Sequence, residues 1–192
     1  MGEMSQDRWD GKRAMMSVEN DRGIRKEILV SGMGTPETKE ILDIVERHQS
    51  RQRAMCRELE DVADSLPLDV DPSLCMRLAR SLLPTLRSAH EFKEEYFCGL
   101  VRQVLNDQGN LDAIIDRLRA EYQENELLAE EVAEELSQWG MCAEPKSAET
   151  VGYMLRGFFI SMTRHLDFEL VVLIDPIKIR LSRPEAAVYP EP

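Results

Sequence analysis

The spacing of apolar residues constrains this chain more than any other feature. Ile41, Val45, His48, Gln52, Met55, Leu59, Val62 and Leu66 follow one another at alternating intervals of four and three. That alternation tracks the 3.6-residue period of an α-helix and draws one inward stripe along it. Three further stretches carry such a stripe. The first is Ala79, Leu83, Leu86, His90, Glu94, Phe97, Val101 and Val104. The second is Leu111, Ile115, Leu118, Tyr122, Glu126, Ala129, Ala133 and Leu136, and the third is Val151, Leu155, Phe158, Met162, His165, Glu169 and Val172. No segment sustains the period-two alternation of a strand.

Start and stop signals bound the four helices. Thr35-Pro36-Glu37-Thr38 opens the first with a hydroxyl cap and a proline in the first turn. Pro67 and Asp69-Val70-Asp71-Pro72 close it. The second starts near Ser73 and reaches about Asn106, with Pro84 placed to kink or divide it. Gly109 and Asn110 separate it from the third, which Gly140 ends. Ser147 caps the fourth, and Asp175-Pro176 stops it. Four long helices with short connections predict an all-α, up-down-up-down antiparallel four-helix bundle over residues 35–176. Residues 1–34 read as a polar N-terminal arm and 177–192 as a C-terminal tail.

Composition narrows the partners. A net charge of −12 disfavours nucleic acid and anionic membranes. The Arg47, Arg51, Arg53 and Arg57 cluster reads as a solvated helix face. No apolar run approaches the ~20 residues that cross a bilayer, and the first 30 residues lack the apolar block of a secretory signal. Cys56, Cys75, Cys98 and Cys142 form no Cys-x-x-Cys pair, as expected of free thiols in a reducing cytoplasm.

The stripes are interrupted at corresponding places by groups that are costly to bury unpaired. These are His48, His90 with Glu94, Tyr122 with Glu126, and His165 with Glu169. His90 and Glu94 are four apart, as are His165 and Glu169, so each pair shares a helix face. The interval from His48 to His90 nearly equals that from Tyr122 to His165. Imidazoles and carboxylates from facing helices of a bundle can meet around a metal. A ferritin-like site would place Glu three residues before each His. Val45, Arg87 and Met162 stand there instead.

This order, His48, then His90-x-x-x-Glu94, then Tyr122, then His165-x-x-x-Glu169, resembles the hemerythrin-like (HHE cation-binding) family over about residues 36–174. The resemblance implies a bundle holding two non-haem iron ions. Glu94 and Glu169 would bridge them, with His48, His90 and His165 as terminal ligands. The family has His at the third position, so Tyr122 is a departure. It would serve as a phenolate ligand or as a hydrogen-bonding neighbour, while Glu126 is a weaker candidate. The resemblance further implies a small-molecule partner such as O2, peroxide or NO, for sensing, iron handling or detoxification. The alternative is a metal-free helical interaction or regulatory module.

Overall fold

The computed structural model describes residues 37–106, 109–141 and 147–182. The predicted arm over 1–34, the Thr35-Pro36 helix start, Cys142 and residues 183–192 lie outside them. Contacts divide the chain after Glu40. Of the first unit only residues 37–40 are described, and apart from the opening turn of the first helix all that follows concerns the second.

Four helices account for the described residues, and no strand occurs among them. Helix α1 is Thr38–Ser65. Helix α2 begins as Pro72–Phe92, widens into a π turn over Lys93–Phe97 and closes as Cys98–Val104. Helix α3 is Leu111–Gly140. Helix α4 runs through Ala148–Glu169, a second π turn over Leu170–Ile174, and Asp175–Ser182.

Local chemistry explains these limits. The Asp71 side chain accepts from the Ser73 amide at 2.8 Å, and Pro72 occupies the first turn, where no N–H is missed. Asp71-Pro72, read above as the end of one helix, is therefore also the start of the next. Ser147 accepts from the Thr150 amide at 3.2 Å, as its predicted capping role requires. Pro84 does not divide α2, because helical residues continue through it. Nor does Pro176 stop α4. It follows directly on a π turn, where i→i+5 bonding already disturbs the ladder that an absent N–H would break. The helix goes on to Ser182 and buries Ile177.

Cross-helix contacts give the directions. Glu58 meets Arg77, whereas the earlier His48 meets the later Phe92, so α1 and α2 run oppositely. Arg87 reaches Glu130 while Arg102 reaches Asp112, which does the same for α2 and α3. Arg53 with Asp167 and Arg156 with Asp64 orient α1 against α4. These exposed pairs contribute little stability, roughly 0–1 kcal/mol each. The core does far more. Leu59, Leu78, Leu82, Leu86, Leu136, Leu155 and Met162 are fully buried in one apolar cluster. At Gly140 the backbones come close: a Cβ there would collide with the Met76 side chain and crowd the Pro72 carbonyl.

Candidate metal centre

Beyond the apolar cluster the interior turns polar. Glu169, fully buried on α4, receives three donors. Lys93 Nζ donates to Oε2 at 2.8 Å, Gln49 Nε2 donates to the same oxygen at 2.7 Å, and the Tyr122 hydroxyl donates to Oε1 at 2.9 Å. All four helices thus converge on one carboxylate. Burial works against its charge, but the Lys93 charge and the hydrogen bonds from Lys93 and Gln49 outweigh that and hold it below the usual carboxylate range. Burial, then the neighbouring Glu169 charge, raises the Tyr122 pKa well above its ordinary value, so the phenol stays protonated.

The two imidazoles stand on either side of Tyr122. The His90 ring stacks on it with centroids 4.2 Å apart, and His165 meets it edge-on at 5.2 Å. His90 Nδ1 lies 2.7 Å from Glu126 Oε1, and His165 Nδ1 lies 2.7 Å from Glu121 Oε2. Burial, helped by the Lys93 charge, lowers both imidazole pKa values, that of His90 to about 4, so the rings are neutral at pH 7. A carboxylate only accepts, so each Nδ1 carries the proton and each Nε2 presents a lone pair. Both Nε2 atoms are buried, with no hydrogen-bond partner among the described residues. Imidazoles that bind metals are typically held this way, through Nδ1–H on a carboxylate.

The other candidates sit differently. His48 is buried and packs its ring 5.7 Å from that of Phe92; its neighbour Gln49 is the residue that reaches Glu169. Glu94 lies on the outside. Arg119 grips both of its oxygens at 2.8–3.0 Å, and this hydrogen bonding holds its carboxyl below the usual range against the opposing effect of burial. Glu126 is spent on His90 and Arg87. Where the stripe reading put Glu94 inward, the π turn opens at Lys93, and it is Lys93 that is fully buried. A lone buried ammonium would cost several kcal/mol. The Glu169 carboxylate compensates it, as does the face of Tyr122, whose centroid is 5.3 Å from Nζ.

Between α3 and α4 a groove of about 430 Å³, lined by Arg117, Glu121, Asn125, Gly157, Ser161 and Arg164 among others, reaches His165. Sequence reasoning passed over Lys93, Gln49, Glu121 and Asn125. The signal for two of them was present. Leu86, His90, Lys93 and Phe97 keep the four-three alternation of α1 better than the series through Glu94, and Tyr122, Asn125, Ala129 and Val132 keep it better than the series through Glu126.

The donor set decides which cations the centre fits. Of the carboxylates among the described residues, only Glu169 is fully buried at the centre; Glu94, Glu121 and Glu126 face other partners. Among the described residues no three His, Cys, Asp or Glu side chains converge as a metal-holding cluster. One buried carboxylate already offset by an ammonium does not fit two metal ions, whose charge would stand uncompensated. Two bare imidazole nitrogens and one carboxylate are donor types that a divalent ion takes, but as they stand they form no three-donor site, and Lys93 holds the carboxylate.

The class that these features define is an all-helical bundle with histidines and a carboxylate in a polar interior. The sequence profile of the hemerythrin HHE cation-binding domain matches residues 40–173, and the chain belongs to that family. No curated protein and no solved structure matches it. No helix among the described residues is long and apolar enough to cross a membrane.

Proposed function

We propose that this chain is a cation-binding hemerythrin-like protein that holds one metal ion, non-haem iron in the family's manner, on His90, His165 and Glu169. The observation that carries the reading is the pair of buried imidazoles, each with Nδ1 held by a carboxylate of α3 and each with Nε2 unpartnered. The bound ion would supply an open coordination position for a small molecule such as O2, peroxide or NO. The chain's own residues do the rest. Glu126 and Glu121 fix the two rings, Tyr122 offers a proton donor beside Glu169, and the groove ending at His165 admits a small ligand. A reducing, cytoplasmic setting suits the buried free thiols Cys56, Cys75 and Cys98.

A two-iron form would need Glu94 to leave Arg119 as well as Lys93 to leave Glu169. The one-ion form needs only the second step. A metal-free regulatory module is the second reading, favoured by the Lys93–Glu169 pair, which closes the bundle without any metal. Metal analysis of protein loaded anaerobically with Fe2+ tests all three. About one ion per chain, lost in His90→Ala and in His165→Ala, is the expected result. Two ions per chain would restore the two-iron form, and none would leave the metal-free module.

A further inference from the structure

A lysine with no exposed surface, seated on the only carboxylate that is fully buried at the bundle's centre among the described residues, calls for a role. The carboxylate is engaged on both oxygens: Oε2 takes Lys93 and Gln49, and Oε1 takes Tyr122. The two Nε2 lone pairs are not. The nitrogen donors therefore stand ready while the oxygen donor is held by a cation that the protein itself provides. We infer that Lys93 is the bundle's resident cation, and that its ammonium and an incoming metal ion compete for Glu169.

This rests on the one-ion reading above and adds its regulation. Two cations cannot share a buried carboxylate without strong repulsion, since little solvent screens them there. Metal uptake therefore requires Lys93 to withdraw. Its place in the helix suits that movement. Lys93 opens the π turn, where the regular ladder is already interrupted, and a four-carbon stem lets an ammonium leave without moving its backbone far. On the outer side of the same turn, Arg119 grips Glu94 and keeps that carboxylate from taking the vacated position. The wild-type protein is thereby folded and charge-compensated before any metal arrives, and its affinity is set below what the imidazoles and Glu169 alone would give.

Calorimetric titration of the full chain with Co2+ tests the competition. Lys93→Met keeps the length of the side chain and removes its charge. It should bind Co2+ at least about tenfold more tightly than wild type, and adding His90→Ala should abolish the gain. Affinities within about twofold of each other would overturn the competition while leaving the one-ion reading intact. Absence of Co2+ binding to either protein would remove both. Should Lys93→Met fail to fold, amine acetylation of the wild-type chain, read by peptide mass spectrometry, gives the same decision. Lys93 should be protected without metal and modified with Co2+ bound. Continued protection of Lys93 in the Co2+-bound protein would overturn the inference.

Discussion

Around Leu82 and Leu155 the space between the helices is filled with hydrocarbon, while around Glu169 it is filled with an ion pair, a phenol, two amides and two imidazoles. The first region gains stability from area and shape, with no single contact decisive. The second region holds only as a set. Each of its buried charges is tolerable because a particular partner faces it, and four of its groups still keep atoms without partners among the described residues. These are the two histidines, Asn125 through its Nδ2, and Gln52, whose amide is bonded at neither end. One half of the bundle is built for stability, and the other retains unspent bonding capacity.

Removing one member from each half sharpens the contrast. Glu169→Ala strands the buried Lys93 ammonium, and the expected loss is about 4 kcal/mol by denaturant unfolding without metal. Leu155→Ala leaves a cavity in the apolar cluster and should cost about 3 kcal/mol, independent of added metal. Acid separates the halves without mutation. The His90 pKa is lowered to about 4 in the fold, so between that value and about 6.5 the unfolded chain binds the extra proton and stability falls as the pH falls. A loss of about 2 kcal/mol between pH 7 and pH 4.5 is expected, reduced in His90→Asn. The depressed Glu169 carboxyl adds its own loss as the pH falls below the ordinary carboxylate value, because the unfolded chain takes up that proton before the ion pair does. Combining Lys93→Met with Glu169→Gln should cost only about 1–2 kcal/mol, less than Glu169→Ala alone, because both charges leave together and Gln still accepts from Tyr122. Glu134→Ala, on the solvated face of α3, should stay within about 0.5 kcal/mol of wild type.

The helices were legible because their evidence is periodic and redundant. Eight stripe positions in α1 outvote any one polar residue, and the Ser147 cap is a local signal read locally. The centre was legible in part. His90, Tyr122, His165 and Glu169 lie where the stripes put them. Glu94 does not, and the reason is physical: an α-helical face is shared by residues three and four apart, so His90 points alike to Lys93 and to Glu94. Chemical expectation favoured the carboxylate. The alternation of the neighbouring helices favoured the lysine, and the π turn that settles the choice leaves no clear mark in composition. The partnerships of Glu121 and Glu126 with the two imidazoles depend on the rotation of one helix against another, which no single stripe records.

The buried cysteines have a consequence of another kind. Burial raises the Cys56, Cys75 and Cys98 pKa values to about 11. Only a thiolate attacks a disulfide reagent, and at neutral pH these groups are almost wholly thiol and shielded as well. They become reactive when the helices part. With Cys142→Ser leaving only these three, the rate at which a chromogenic disulfide consumes them is a clock for the opening of the bundle. Cys56 and Cys75 keep time for the apolar half, and Cys98, just past the π turn, for the polar one.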